Sequence, residues 1–328
     1  MQKILIIQTA FIGDAILATG IVEKLHSTYP NAAIDFMVRK GNESLFANHP
    51  FLNKVIIWDK KNGKYKSLFA LLKQIRNTQY DVVINVQRFA ATGFITAFSN
   101  AKLKIGFNKN PFSFMFDIKV KHIVANAQNP LHEVERNQML IESIAGGKAT
   151  NPKLYPSKND DDFVAKYKQE KYVCIAPASV WFTKQFPTHK WIELINEMDK
   201  SITIYLIGAS NDNEMCEEII AKSNHKKVIN LSGKLNFLQS TSLIRDAAMN
   251  YVNDSAPMHL ASSVNAATTA IYCSTLPSFG FGPLSVNSKI VEVKEKLNCR
   301  PCGLHGLKNC PLQHFNCANL IMPVQVLH

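Results

Sequence analysis

Short apolar runs rich in β-branched residues alternate with amphipathic segments through the first half of the chain. The runs are KILII (3–7), IDFMV (34–38), VIIW (55–58) and DVVINV (81–86). Between the first two, apolar residues from Ile12 to Tyr29 recur near the helical period, and the segment 64–78 does the same. Strands that alternate with helices favour βαβ units and a parallel sheet. The helix that closes this half is predicted at 132–146.

The alternation stops at GGKATNPKLYPSKNDDD (146–162), which has two prolines and no apolar period, and this segment is predicted to be a linker. Strand-like and helical segments then alternate again. The predicted strands of this half are 172–177, 202–209, 227–233, 250–254 and 266–273. The chain of 328 residues is therefore predicted to hold two α/β domains, 1–150 and 151–328. Ligands of such open sheets bind beyond the carboxyl ends of the strands.

The turn after the first strand reads QTAFIGDAILAT (8–19) and carries one glycine and one carboxylate, Gly13 and Asp14. Structurally, Asp14 is suited to be a helix N-cap, with Gly13 easing the turn before it. Functionally, a carboxylate beyond a strand end is suited to take a proton from a hydroxyl. The dinucleotide fingerprint G-x-G-x-x-G and the P-loop sequence are both missing, which argues against a dehydrogenase and a P-loop NTPase.

Two stretches of the second half have residues suited to bind an anion. In APASVWFTKQFPTHKW (176–191) a loop with Lys184 follows a strand, and the side chain is suited to bind phosphate or is simply exposed. In NDSAPMHLASS (253–263), Asp254 and Ser255 precede a helix with Pro257 in its first turn. A helix N-terminus is a natural site for an anionic group, although a capped helix with a packed His259 explains the pattern as well.

The net charge of +12 permits a nucleic acid, an anionic membrane surface or an anionic substrate as partner. Basic residues cluster modestly at 60–66 and 102–110, but no zinc-finger spacing or RNA-recognition signature accompanies them, so a nucleic-acid partner is not predicted. No apolar run approaches the roughly 18–20 residues of a membrane span. The predicted location is cytoplasmic, with peripheral contact to the membrane as an extension.

Four of the seven cysteines crowd the C-terminal end with the spacing C-x2-C-x7-C-x6-C. They are Cys299, Cys302, Cys310 and Cys317. Such spacing permits a structural zinc or an iron–sulfur cluster, although only one C-x2-C pair is present. The other three, Cys174, Cys216 and Cys273, lie in strand or helix patterns and are predicted to be buried.

These motifs together resemble glycosyltransferase family 9, the lipopolysaccharide heptosyltransferases, over nearly the whole chain. The resemblance rests on IGDAILAT, INVQRFAATG (84–93), HEVERN (132–137), PASVWFTKQFPTHKW and NDSAPMHLAS. It implies a glycosyltransferase-B-type fold, in which two Rossmann-like domains face each other across a cleft. The N-terminal domain would bind a glycolipid acceptor of the lipid A–core type and the C-terminal domain a nucleotide-sugar donor, with ADP-heptose as the family expectation.

The resemblance also implies residue roles and an inverting reaction that needs no cofactor and no metal. Asp14 would be the general base, and Lys184 would neutralise the leaving diphosphate. The implied donor-binding residues are Ser179, Thr183, Lys184, Asp254, Ser255, Ala256 and His259, and the implied acceptor-binding residues are Gly13, Gln87, Arg88 and Arg136. The chain departs from the family at Ala256, where glycine is common, and at Ala91, where some members have lysine.

Two other functional classes remain open from the sequence. One is a nucleotide-sugar epimerase or hydrolase on the same fold, which would use the donor site without an acceptor. The other is a nonenzymatic module that binds a sugar or a nucleic acid. Donor turnover with and without acceptor separates the first from a transferase, and salt-sensitive DNA affinity without nucleotide-sugar binding would favour the second.

Overall fold

Two six-stranded parallel sheets organise the chain in the computed structural model, which describes residues 3–61, 63–126 and 128–327. Each sheet belongs to one of two compact units. The first unit comprises Met1–Ala125 and Leu131–Tyr155, and the second comprises Asn126–Pro130 and Pro156–His328. The predicted two-domain α/β class is therefore confirmed, and the first unit runs slightly past the boundary expected at residue 150.

The first unit has the strand order β3-β2-β1-β4-β5-β6. Its strands are β1 (Lys3–Ile7), β2 (Ala33–Arg39), β3 (Leu52–Trp58), β4 (Val82–Asn85), β5 (Leu103–Phe107) and β6 (Ile118–Val120). Its helices are α1 (Ile12–Leu17), α2 (Thr19–Thr28), α3 (Lys64–Thr78), α4 (Ala90–Ala97) and α5 (Glu133–Ala145). Strand β4 pairs in parallel with β1, with Ile7 and Asn85 as register partners, so the carboxyl ends of these two strands lie together.

The second unit has the strand order β12-β11-β10-β7-β8-β9. Its strands are β7 (Tyr172–Ala176), β8 (Thr203–Leu206), β9 (Val228–Asn230), β10 (Asn250–Asn253), β11 (Thr268–Tyr272) and β12 (Ser288–Glu292). Its helices are α6 (Lys158–Val164), α7 (Thr188–Glu197), α8 (Asn213–Lys222), α9 (Phe237–Arg245), α10 (Ala256–Ser263), α11 (Asn316–Asn319) and α12 (Pro323–Leu327). The central strands β11, β10 and β7 lie side by side, so their carboxyl ends form one edge.

The structure corrects the predicted elements at several points. The helix expected after Gly13 is two helices, α1 and α2, that meet at Ala18. The predicted linker ends early, because Ser157 caps α6 and the acidic run begins that helix. Strands β5, β6 and β12 were not predicted, because β6 and β12 lie at sheet edges with few buried residues and β5 overlaps the basic cluster 102–110.

The core of the second unit extends into the C-terminal segment. Trp191 of α7 belongs there to one cluster of buried residues with Phe186, with Ile321 between the last two helices, and with Val326 of α12. The buried cysteines Cys174, Cys216 and Cys273 are confirmed as interior residues. The final segment is thus part of the packed domain. Among the described residues, no helix combines the length and the apolar character that a bilayer span requires.

Candidate functional site

The turn between β1 and α1 is held in place by contacts from three other parts of the first unit. The Thr9 hydroxyl donates to Gln87 Oε1 at 2.6 Å, and Lys60 Nζ donates to the Thr9 carbonyl at 2.6 Å. Asn42 Nδ2 donates to the Ala10 carbonyl at 3.2 Å. Because Gln87 follows β4, the neighbour of β1, its side chain ties together two strand ends. The acceptor role implied for Gln87 stays a prediction beside this positioning contact.

Asp14 lies in the first turn of α1 and is half-buried, but it is not the N-cap. Phe11 occupies the cap position without a side-chain cap bond, and Gly13 is already helical. The prediction that Asp14 caps the helix and Gly13 forms the turn is therefore wrong by a few residues. Asp14 is instead the third residue of the helix, within its first turn.

Arg136 of the first unit lies near both Asp14 and a second arginine, Arg88. Arg136 of α5 forms an ion pair with Glu133 and donates to the Ile123 carbonyl at 3.0 Å. Burial, and to a smaller extent the nearby Arg88, lower the pKa of Arg136 to about 10, while Asp14 acts in the opposite direction. Arg136 is thus within electrostatic range of both Asp14 and Arg88.

His122 is a further residue near Arg136 that the sequence did not single out. Burial, together with the nearby charges of Arg136, Arg88 and Lys109, lowers the pKa of His122 to about 4. Within the part of the chain described here, its Nδ1 atom is buried without a hydrogen-bond partner. A neutral imidazole therefore lies beside several cations at neutral pH. This side of the first unit is suited to receive an anionic group.

Asn110 fixes the loop that carries the acceptor-side residues. Its side chain is 2% exposed, and Nδ2 donates to the carbonyls of Gln87 and Phe89 at 3.1 Å each. Its Oδ1 accepts from the Phe112 amide at 3.0 Å. Gly93 of α4 allows this side chain to approach, because a Cβ there would lie 2.7 Å from Asn110 Cγ. Arg88 is therefore carried by a loop with a defined backbone.

In the second unit, three neighbouring strands bring Lys184, Asp254 and Thr275 together at their carboxyl ends. Lys184 Nζ lies 2.7 Å from Asp254 Oδ2, and the two side chains are only 15% and 8% exposed. The Thr275 hydroxyl donates to the same carboxylate oxygen at 2.6 Å. The sequence did not predict Thr275, since a threonine after a strand carries no distinctive signal. The two predicted donor residues Lys184 and Asp254 are partners of each other.

The loop that carries Lys184 is positioned by buried polar side chains. Asn253, fully buried at the end of β10, accepts from the Phe186 amide at 2.8 Å and donates to the Pro177 carbonyl at 2.8 Å. Thr183 is also fully buried, and its hydroxyl accepts from Ser274 Oγ at 2.9 Å and from the Leu307 amide at 2.7 Å. This placement suits Thr183 to hold the loop rather than to contact a ligand.

The C-terminal segment completes this loop from outside the sheet. Arg300 donates to the carbonyls of Tyr272, Cys273 and Thr275 at 2.6–3.0 Å and pairs with Glu292 at 2.6 Å. Further on, Gly306 has a φ of +77°, and a Cβ there would lie 2.8 Å from Lys184 Cγ. A glycine is needed at that point because the backbone passes directly against the lysine stem.

The remaining predicted donor residues surround the start of α10. Ser255 occupies its N-cap position, with Oγ 3.4 Å from the Asn253 carbonyl, and Ala256 is the first helical residue. His259 is buried one turn on, with its ring centroid 6.5 Å from that of Phe281. The amide of Ser179 donates to Gln185 Oε1 at 3.1 Å. Their contacts with a donor stay predictions.

The placement of the C-terminal cysteines bears on the metal alternative. Within residues 3–61, 63–126 and 128–327, no group of three or more His, Cys, Asp or Glu side chains is placed to hold a metal ion. Cys317 belongs to the apolar core, and the Cys302 amide donates to the Ser274 carbonyl at 2.9 Å. The alternative of a metal at Cys299, Cys302, Cys310 and Cys317 therefore gains no support from their placement.

Comparison with known proteins gives consistent matches over most of the chain. The sequence model described as glycosyltransferase family 9 (heptosyltransferase) matches residues 68–309. A lipopolysaccharide core heptosyltransferase, OpsX, of Haemophilus influenzae is 25% identical over 83% of this chain and 79% of its own. A lipooligosaccharide heptosyltransferase 2 of Campylobacter jejuni is 26% identical over 99% of this chain and 97% of its own.

A solved structure supports the same fold. The Escherichia coli protein described as ADP-heptose lps heptosyltransferase II superposes with a TM-score of 0.80. The superposition covers 99% of this chain and 96% of that one, at 21% sequence identity. The two parallel-sheet units described above therefore have the glycosyltransferase-B-type fold of these relatives.

Proposed function

Because the chain belongs to glycosyltransferase family 9, the heptosyltransferase family, we propose that it transfers a heptose from ADP-heptose to a hydroxyl of a lipopolysaccharide core acceptor. The transfer would invert the anomeric carbon of the heptose. The donor is proposed from the E. coli neighbour, which is described as an ADP-heptose enzyme. The acceptor class is proposed from relatives described as lipopolysaccharide core heptosyltransferases.

The observation that carries the donor part is the Lys184–Asp254 pair at the start of α10. The helix begins at Ala256, so its first amides and the Lys184 ammonium are available to the same diphosphate. As the bond from the anomeric carbon to the diphosphate oxygen breaks, negative charge grows on ADP, and these groups stabilise it. Asp254 and Thr275 hold the ammonium in place until the donor arrives.

Asp14 is proposed as the base for the acceptor half of the reaction. The acceptor oxygen forms a bond to the anomeric carbon on the face opposite the diphosphate, and its proton passes to an Asp14 carboxylate oxygen. Arg136 lies within electrostatic range of Asp14, and Arg88 is a second cation beside Arg136. The same cations suit an acceptor that carries phosphate or carboxylate groups.

The decisive test is Asp14→Asn, which keeps the shape of the side chain and removes its basicity. We expect kcat to fall by roughly 10²–10⁴-fold, while the Kd for ADP-heptose in titration calorimetry stays within about twofold of the wild-type value. Asp117→Asn, at a partly exposed carboxylate of the same unit, is the matched control and should leave both quantities unchanged. An Asp14→Asn enzyme that keeps near-wild-type turnover would refute the base assignment.

A parallel assay separates transfer from other reactions of the same donor. ADP-heptose consumption is followed with and without a lipid A–core acceptor. A transferase consumes donor in step with glycosylated product and only when acceptor is present. Equal consumption without acceptor would instead identify a hydrolase or an epimerase.

The proposal also concerns where the enzyme acts. Its nucleotide-sugar donor is a cytoplasmic metabolite class, whereas its acceptor is anchored in lipid, so we propose that the protein works in the cytoplasm against the inner face of the membrane. Cell fractionation tests this directly, with recovery in the periplasmic fraction as the contrary result.

A further inference from the structure

One stretch of the first unit carries most of the excess positive charge. Between residues 64 and 121 there are ten Lys or Arg side chains and two acidic ones, so eight of the twelve net positive charges of the protein lie there. The two acidic residues, Asp81 and Asp117, pair with Lys102 and Lys104. The remaining eight cations of the stretch outnumber its acidic residues completely, because it has no third carboxylate. The excess charge is therefore concentrated in this part of the chain.

The same stretch exposes a cluster of phenylalanine rings, which we call the aromatic face. The face consists of Phe69, Phe94, Phe98, Phe112 and Phe114. Phe94 is its centre, with ring centroids 4.9 Å from Phe98, 5.8 Å from Phe69 and 5.9 Å from Phe112. Phe69 is 59% exposed and Phe114 is 72% exposed. Contiguous exposed apolar groups of this kind mark an interaction surface.

A cavity joins the aromatic face to the positive charge. It has a volume of about 480 Å³, and its lining includes Phe69, Leu72, Lys73 and Arg76 of α3. Phe69, Lys73 and Arg76 are spaced by four and three residues, so they form one stripe on the outer side of that helix. The lining therefore combines apolar carbon from Phe69 and Leu72 with the two cations Lys73 and Arg76. That combination matches a lipid phosphate and the first carbons of its acyl chains.

We propose that the aromatic face and the Lys73–Arg76 cavity form the surface by which this protein docks on an anionic phospholipid bilayer. Phenylalanine rings enter the boundary between headgroups and acyl chains, and lysine and arginine remain at the phosphate level. Each cation near an anionic leaflet strengthens partitioning by a factor of about five. Neither contribution alone gives firm attachment, but together they supply the two signals that stable peripheral binding requires.

The position of the face relative to the acceptor residues favours a bilayer over other partners. Helix α4 begins directly after Arg88 and Phe89 and ends before Phe98, so it connects the proposed acceptor loop to the aromatic face. Phe89 itself is 62% exposed. A lipid-anchored acceptor held in the same bilayer would thus present its sugars near Arg88. This last point rests on the proposed function, whereas the docking itself does not.

Cosedimentation of the full chain with vesicles tests the docking. The vesicles are phosphatidylcholine alone or phosphatidylcholine with one quarter phosphatidylglycerol. Wild-type protein should sediment with the anionic vesicles and stay in solution with the neutral ones. Lys73→Glu together with Arg76→Glu should weaken partitioning by roughly 25-fold or more, and Phe69→Ser together with Phe114→Ser should weaken it at least tenfold.

Control variants carry the same kinds of substitution at exposed residues of the second unit. Lys171→Glu with Lys226→Glu alters the net charge equally, and Phe163→Ser removes a phenylalanine that is 45% exposed. Both should partition within twofold of wild type. All variants should retain their thermal unfolding midpoint and their transfer rate to a delipidated, water-soluble acceptor. A failure of transfer in every protein, with vesicle binding as expected, would refute the proposed function and leave the docking intact.

Three outcomes would overturn the docking proposal. The first is equal partitioning onto neutral and anionic vesicles. The second is unchanged partitioning of both double variants. The third is a change from dimer to monomer in sedimentation velocity when Phe69 and Phe114 are replaced, with vesicle binding unaffected, which would assign the face to a second copy of the chain.

Discussion

Gly93 and Asn110 form a pair whose coupling can be worked out from the structure. Gly93→Ala places a Cβ 2.7 Å from Asn110 Cγ and 2.8 Å from Nδ2, so the buried amide must move. When it moves, it gives up its bonds to the Gln87 and Phe89 carbonyls and to the Phe112 amide. The backbone at Gly93 cannot easily shift to relieve the overlap, because Gly93 lies inside α4.

The expected free energies follow from these contacts. Asn110→Ala loses three hydrogen bonds at about 1 kcal/mol each, which lowers the free energy of unfolding by about 3 kcal/mol. Gly93→Ala loses the same bonds but gains about 1 kcal/mol from alanine in a helix, so it costs about 2 kcal/mol. In the double variant the bonds are already absent, so Gly93→Ala becomes stabilising by up to about 1 kcal/mol.

Urea denaturation of the wild type, the two single variants and the double variant measures this change in the sign of the Gly93→Ala effect. Because Asn110 fixes the loop of Gln87 and Arg88, the single variants should also raise KM for the acceptor while leaving ADP affinity unchanged. The reasoning fails if Gly93→Ala costs the same in the wild-type and Asn110→Ala backgrounds. It fails equally if ADP affinity, and not acceptor KM, responds.

Two further predictions concern the charged groups of each unit. Lys184→Met should abolish measurable ADP binding in calorimetry and lower the free energy of unfolding by roughly 3 kcal/mol, because it leaves the Asp254 carboxylate buried without its cation. Adding Asp254→Asn should restore the free energy of unfolding but not ADP binding. Recovery of both would contradict the phosphate role of Lys184. The pKa of His122 is 6.5 in the unfolded chain and about 4 in the folded protein. Between pH 6.5 and pH 4 the unfolded state therefore binds a proton that the folded state does not. The free energy of unfolding that is present above pH 6.5 is lost as the pH falls toward 4. His122→Asn should reduce that loss by about 1–2 kcal/mol, a value that is discounted because the imidazole is partly exposed. Urea midpoints that depend on pH identically in the wild type and the variant would contradict this expectation.

The helices with strong apolar periodicity were predictable from the sequence, and those without it were not. Helix α3 has the predicted bounds because its apolar residues face the core at helical spacing. Strand β6 has three residues, none of them buried, so no sequence pattern marks it. The break between α1 and α2 falls within a continuous apolar period and depends on tertiary packing.

The site shows the same division. Lys184 and Asp254 were predicted because each follows a strand in a distinctive motif. Their ion pair was not, since it depends on β7 and β10 being neighbours in the sheet, which chain order does not reveal. Thr275 and Asn110 act through buried hydrogen bonds over long sequence distances, and such bonds leave no local signal.

The hydrogen bond from the Leu307 amide to Thr183 has a consequence for how the protein is made. Its two residues are 124 positions apart, and ribosomes add roughly 5–20 residues per second. The loop with Lys184 therefore waits about 6–25 seconds for the segment that completes it. During that interval the first unit is already fully synthesised. A nascent chain thus has its acceptor-side residues complete while its donor loop is still unfinished.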